Sequence, residues 1–541
     1  MSIYNFISFL GIFGLCAIAW IFSENRQVRY IPWRVIIWGI GLQLVLGFLV
    51  FQFEPTRIAL EWFTSLLNGV FTAADFGARF VFSKNFVPLP PLPGDKPSVI
   101  DLGQIFAFRT LPTVIFFSGL MALLENIGVI QIITNFFAKI FYLTMRLSGA
   151  EALSGAANIF VGIEAAIVVK PYLAQMTRSE LCAILSCCFG TAASSILAIY
   201  VSALKPVFPN ILGHLVSASI IAIPACFVIS KIVVPETEVP LTMGGIPKEK
   251  PKAQGRDLVG EEIGENDGEM PKQETVGGDL IERVSPLDAA ITGALDGVKM
   301  AVAIVAVLIL ILGLVSLVNQ SFEALASLQS SENLLLQMIG NFFSFITLQN
   351  IQGALFYPLT LLTGVPFEDS WTASVIIGRR LLETAIPPYQ TLAEVAAKGL
   401  ISDRTVLIVS YALSGFAHLA SVGIFVGGTI ALIPSRRKDI SELGWKALFV
   451  GTLATMMIAC IAGLFDTGDS SILGTKTPPT APISAPASPK SGASPAASPK
   501  PSVAPTIASP KPLPKGEKAA PKAQESPKSE SKKTPYQKGE V

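Results

Sequence analysis

Residues 3 to 22 form an apolar run of about 20 residues, the length needed to cross the hydrocarbon core of a bilayer as a helix. The run has neither a basic start nor a small-residue cleavage site, so it is expected to remain in place as a span. Comparable apolar stretches recur at about 35–53, 105–124, 180–204, 209–235, 292–318, 403–432 and 445–465. Backbone polar groups in hydrocarbon must be satisfied within their own segment, which leaves an all-α, multi-pass membrane protein as the expected fold class. Its expected place is the plasma (cell inner) membrane.

Composition narrows the function. Of 541 residues, 51% are hydrophobic and 15% charged, and the net charge of +1 gives no electrostatic reason to expect nucleic acid as a partner. The six cysteines, Cys16, Cys182, Cys187, Cys188, Cys226 and Cys460, lie in apolar segments and read as small core residues. With His214 and His418 the only histidines, a zinc or iron site has almost no ligand supply. No cofactor is expected. No activated Ser, Cys or metal constellation is apparent, so the chain is not expected to be an enzyme.

Short basic connections set the orientation. Arg26, Arg29 and Arg34 follow the first span, and "PSRRKD" (Pro434 to Asp439) precedes the last; both mark the cytoplasmic side. The N-terminus and the end of the last span are then expected outside. Between Thr56 and Ser83, charged residues at helical spacing suit an interfacial helix, and "PLPPLPGDKP" (Pro88 to Pro97) is a Pro-rich link. Two stretches lack the apolar content of a core: the acidic segment 236–286, expected as a disordered cytoplasmic insertion, and the region after about Gly474. That tail repeats Ser-Pro-Lys at 488, 498, 509 and 526 and is also expected to be disordered.

Two regions share one plan. Glu164 lies in "NIFVGIEAAIVVKPYL", too short and interrupted for an ordinary span, and a helix is expected to start at Ser179-Glu180. Glu383 lies in "RRLLETAIPPYQTL", where Pro387 and Pro388 break the chain, and a helix is expected from Ser402-Asp403. Each following helix carries a small, polar cluster, "GTAASS" (Gly190 to Ser195) and "SGFAHLAS" (Ser414 to Ser421). Such clusters by themselves serve close helix packing. An intramembrane carboxylate at the matching place of each unit points instead to a midplane binding site between interrupted helices. Pairing of Glu164 with Lys170, merely to hold its segment in place, remains an open alternative at this level.

At these residues the sequence resembles the concentrative nucleoside transporter family. The resemblance rests on "SGAANIFVGIEAAIVVKPYL", "MTRSEL", "SSILAIYVSAL", "DAAITGALDGVKMAVAIVAVLI", "FYPLTLLTGVPFEDS" and "YALSGFAHLASVGIFVGG", in family order from about 105 to 466. It implies a homotrimer whose protomer has about eight transmembrane helices, two re-entrant helical hairpins in an inverted repeat, and interfacial helices. The segments are expected as N-terminal scaffold (1–148), first hairpin and broken helix (149–235), insertion (236–286), scaffold and connecting helices (287–366), second hairpin and broken helix (367–470) and tail (471–541).

The implied activity is ion-coupled import of nucleosides, or a related polar ring-containing metabolite, by alternating access. A membrane sensor or scaffold that keeps the site without transport is the alternative. By resemblance, Glu164 contacts the nucleobase, Glu383 bonds ribose hydroxyls, Phe416 and Ser421 line the ribose side, and Ile196 makes an apolar contact; His418, from its place between Gly415 and Ser421, is a sixth expected substrate residue. Sodium would be held at Asn158, Val161, Thr191 and Ala192, with proton coupling as the alternative. The chain departs from the family pattern in Gly162-Ile163-Glu164, which is one residue short and lacks Gln and Thr, in Leu382 where an Asn is typical, and in His418, also at an Asn position. Loss of polar groups that read a ligand edge implies altered specificity.

Overall fold

The computed structural model describes residues 2–83, 86–87, 106–160, 162–243, 245, 274–276, 279–281, 285–468 and 472–474. The Pro-rich link, most of the acidic insertion and the tail beyond 474 lie outside the described residues, and so does the disorder expected for the last two. Within the insertion, β1 (Glu274–Val276) pairs antiparallel with β2 (Asp279–Ile281). All other regular structure among the described residues is helical.

The chain opens with α1 (Ile3–Ile21) and α2 (Trp33–Phe51), then α3 (Glu54–Phe82), the amphipathic helix expected at the interface. The next pair, α4 (Phe106–Ile127) and α5 (Val129–Met145), is bent by 75° at Gly128. That residue has φ +91°, a conformation costly for any side chain with a Cβ. The first hairpin comprises α6 (Gly149–Ala157), a 3₁₀ turn (Ile163–Val169) and α7 (Lys170–Leu173), followed by α8 (Arg178–Gly190) and α9 (Ser194–Leu204). Next come α10 (Ile211–Val233), α11 (Pro286–Ala326), α12 (Leu334–Phe345) and α13 (Leu348–Leu362). The second hairpin is α14 (Phe367–Glu383) with α15 (Ile386–Ala397), followed by α16 (Asp403–Ala412), α17 (Leu419–Leu432) and α18 (Arg437–Phe465).

Five of these helices are unbroken and apolar enough to cross a membrane. Among the described residues the bent pairs α4–α5 and α12–α13, each counted as one span, bring the number to seven. The long stretches expected at 180–204 and 403–432 are each two half-helices, divided where the small, polar clusters fall. The chain breaks between Glu383 and Ile386, immediately before Pro387 and Pro388. They lie in the first turn of α15, where a missing N–H costs nothing.

Burial separates centre from periphery. In α10 and α18, 89% and 83% of the apolar window is buried, whereas in α11 the figure is 6%. A helix apolar all round belongs either in a core or in lipid, and α18 carries Gly444, Gly451 and Ala447 where other helices press close, which places it at the centre. Asn5 donates to the carbonyls of Gly463, Leu464 and Asp466, so the start of α1 and the end of α18 share one face. On the opposite face Arg178 bridges Glu24, Asp439 and Glu442. Burial pushes the Glu24 carboxyl up, but hydrogen bonds from Lys446 and Arg178 outweigh it and hold it below its ordinary value.

Both hairpins are moored in the same way, by a carboxylate tied to the N-cap of the half-helix that follows. In the first, Ser148 caps α6 and its hydroxyl donates to Glu180 Oε1 at 2.6 Å, while Glu180 closes the capping box of Thr177 at the start of α8. Lys231 neutralises this buried group by pairing with Glu151 and with Glu236 at 3.2 Å. In the second, Asp369 Oδ2 accepts from Ser402 N (2.9 Å), Ser402 Oγ (2.7 Å) and Thr405 Oγ1 (2.6 Å) at the start of α16. Capping thus fixes where each half-helix begins, one residue pair earlier in α8 than Ser179-Glu180 suggested.

Candidate functional site

The two broken helices meet at their breaks. Phe416 N donates to the Thr191 carbonyl at 3.2 Å. A Cβ on Gly415 would lie 2.8 Å from the carbonyl oxygens of both Phe189 and Gly190 and 2.6 Å from Thr455 Cγ2, so only glycine permits this approach. Two half-helix C-termini, α8 and α16, therefore end close together inside the protein. Each exposes carbonyls at the negative end of a helix dipole, and that arrangement calls for positive charge.

Each hairpin tip reaches the half-helix that follows it. Gly162 O accepts from Cys188 Sγ at 4.0 Å in the first repeat. In the second, Arg380 reaches from α14 to the Ala412 carbonyl and to Thr455 Oγ1, the latter at 3.1 Å. Tips and breaks together line a cavity of about 440 Å³, within the range of small-molecule sites. Ala193, Ile196 and Tyr200 face it from the first repeat; Thr384, Ala385 and Ile386 face it from the second hairpin; Phe416, His418 and Ser421 face it from the second break. Met300, Ile304 and Val307 of α11 close the remaining side.

Four of the six expected substrate residues, Ile196, Phe416, His418 and Ser421, thus line one cavity. His418 is the N-cap of α17: its Nδ1 accepts from Ser421 N at 3.3 Å and lies 3.0 Å from Ser421 Oγ. The histidine is held by the start of a helix as well as facing the cavity. Glu164 belongs to the 3₁₀ turn of the first hairpin, and its side chain lies outside the described residues.

Glu383 does not line the cavity. It is 1% exposed, and Arg379 one helical turn before it takes both carboxylate oxygens, Nε at 3.1 and 3.0 Å and an Nη at 2.8 Å. The same guanidinium donates to Thr391 Oγ1 at 2.9 Å and so ties α14 to α15. Thr384, the next residue, does face the cavity; it has φ +68° and a buried hydroxyl with no partner. A sparsely populated backbone conformation of this kind is held only where surroundings enforce it.

Of the expected sodium ligands, Asn158, Thr191 and Ala192 are buried, and Val161 lies outside the described residues. Asn158 donates from Nδ2 to Ser154 O at 3.2 Å, but its Oδ1 has no partner. The Thr191 hydroxyl donates back to Cys187 O at 2.8 Å and keeps its lone pairs free to accept. A buried, orphaned amide oxygen fits a hard monovalent cation, which takes oxygen ligands. Among the described residues no cluster of His, Cys, Asp or Glu could hold a transition metal.

The two arginines were missed by sequence reasoning although they stand in "RRLLETAIPPYQTL". Attention to charge in an apolar segment found the carboxylate and passed over the cations beside it. The same rule applies to both signs, because an intramembrane arginine also demands a partner or a task.

Comparison with known proteins gives concordant results. Residues 10–85 match the N-terminus, and 214–463 the C-terminus, of the Na+ dependent nucleoside transporter family; 107–207 match a nucleoside recognition (gate) family. Mouse (Mus musculus) solute carrier family 28 member 3 is 30% identical over 474 residues, which cover 85% of this chain and 59% of the mouse protein. The chain thus spans less than two thirds of that mammalian relative. The uncharacterized transporter YutK of Bacillus subtilis is 32% identical over 457 residues, covering 84% of this chain and 98% of YutK. Among solved structures, CNTnw in an inward-facing substrate-bound state superposes with a TM-score of 0.69 at 32% identity, over 87% of this chain and 99% of that one.

Proposed function

The chain belongs to the family of sodium-dependent, concentrative nucleoside transporters, and from that premise we propose that it imports a nucleoside by symport with sodium, through alternating access of the cavity between the two hairpins. The observation that carries the reading is the convergence of both hairpin tips and both helix breaks on one cavity. Broken helices at such a site free backbone groups for ions and ligand, and paired repeats give two gates for one site.

Ile196 and Phe416 offer apolar and aromatic surface to a planar base. His418, Ser421 and Thr384 offer polar groups, and Glu383 offers a carboxylate once Arg379 yields or shares it. A carboxylate that accepts two neighbouring hydroxyls recognises a sugar with charge-assisted bonds, roughly twice as strong as neutral ones. Glu164 is the corresponding group of the first hairpin. Sodium is a co-transported substrate held at Asn158, Val161, Thr191 and Ala192. The mostly apolar α11 supplies scaffold and, with its exposed outer face, the contact of a homotrimer.

Uptake of radiolabelled uridine, adenosine and inosine into proteoliposomes under an imposed sodium gradient tests the reading, with a proton gradient as the second arm. Accumulation that follows the sodium gradient is expected. Accumulation driven by protons alone would overturn sodium coupling, and uptake insensitive to both gradients would overturn symport.

A further inference from the structure

The second hairpin carries a charge that the proposed transport cycle does not use. Arg380 is 0% exposed, and no carboxylate among the described residues pairs with it; the nearby Glu383 is taken by Arg379. Its Nη atoms donate to Ala412 O and Thr455 Oγ1, and its Nε–H has no partner. A buried guanidinium without a counter-ion is costly, and here the compensation comes from the end of a helix. Ala412 is the last residue of α16, and Phe416 N, which would have bonded to it in a continuous helix, donates instead to Thr191.

The inverted repeat gives this a meaning. In the first repeat the sodium reading puts a mobile cation at Asn158, whose Oδ1 has no partner, and at the end of α8. The matching place in the second repeat, the end of α16, is occupied by a guanidinium from the hairpin. We propose that Arg380 is a built-in cation, standing in the second repeat where a mobile cation stands in the first, so that one sodium suffices per cycle and the second hairpin stays docked to its broken helix without one. This rests on the sodium reading of the first repeat.

The test counts sodium bound to the purified full-length chain in nanodiscs by equilibrium dialysis with radiosodium. Wild type and Arg380→Lys should bind about one ion per chain, and Arg380→Met about two, the second replacing the lost charge. A count of one in R380M would overturn the proposal. No sodium in any variant would defeat the sodium reading instead, and the tethered charge is then judged on melting alone. With charge as the cause, R380K melts above R380M and added guanidinium ion restores R380M. If the apolar methionine is as stable as lysine, or guanidinium has no effect, Arg380 serves packing and the proposal fails.

Discussion

The two repeats share a plan and differ in how they satisfy their charges. Each has a hairpin moored to the N-cap of the next half-helix, through Ser148–Glu180 in one and Asp369–Ser402 in the other. At the tip the likeness ends. The first repeat leaves Asn158 Oδ1 unpartnered, whereas the second fills its tip with Arg379 on Glu383 and Arg380 on Ala412. The open repeat suits a partner that comes and goes. The filled one is self-sufficient without ligand, so under the proposed role of Glu383 a ligand would have to compete with an internal contact. That competition lowers affinity and raises selectivity, because only a group that bonds the carboxylate well can displace or share it.

The largest effect expected from disturbing this asymmetry is that of Glu383→Gln. It removes the proposed charged acceptor and strands Arg379, so uptake should fall by about 100-fold and the melting temperature should drop as well. Arg379→Gln makes the opposite change on the ligand side, freeing the carboxylate: half-saturation should come at lower ligand concentration while the protein melts earlier. If both variants weaken binding equally, Arg379 supports the ligand instead of competing with it.

Next in size is Gly415→Ala, which forces a methyl group into the junction of the two breaks. A loss of about 1–3 kcal/mol is expected, read as a lower melting temperature in detergent. Asn158→Ala removes the orphaned oxygen of the first repeat and should raise the sodium concentration for half-maximal uptake about tenfold, with ligand selectivity unchanged. An unchanged sodium curve would move the ion elsewhere. Smallest is Gly427→Ala in α17, where a Cβ meets nothing within 4 Å. It should leave uptake intact and raise stability by at most about 1 kcal/mol, serving as the control for G415A.

Much of the site was legible because its signals are local. "GTAASS" and "SGFAHLAS" mark the two breaks by composition, and the structure breaks α8 from α9 and α16 from α17 within them. Ser402 signals a helix start and is one. Ile196 of α9 and Phe416, His418 and Ser421 of the second break line a common cavity. Other features were not legible. The bend at Gly128 was missed because α4 and α5 both read as apolar helix, and a left-handed φ leaves no hydropathy mark. At Pro387 and Pro388 the break itself was legible, but that both fall in the first turn of α15 depends on where Thr384 turns the chain.

By itself the sequence determined that this chain is a membrane protein of interrupted helices in two matching units, since hydropathy and capping act over a few neighbouring residues. Only the tertiary structure decided which charges meet. Glu383 has Arg379 within its own helix, but whether that pair closes depends on Thr391 from the facing arm, and Arg380 finds its acceptors on α16 and α18. Electrostatic partners in a low-dielectric interior are chosen by distance and burial, which contacts across the whole chain set and no local pattern encodes.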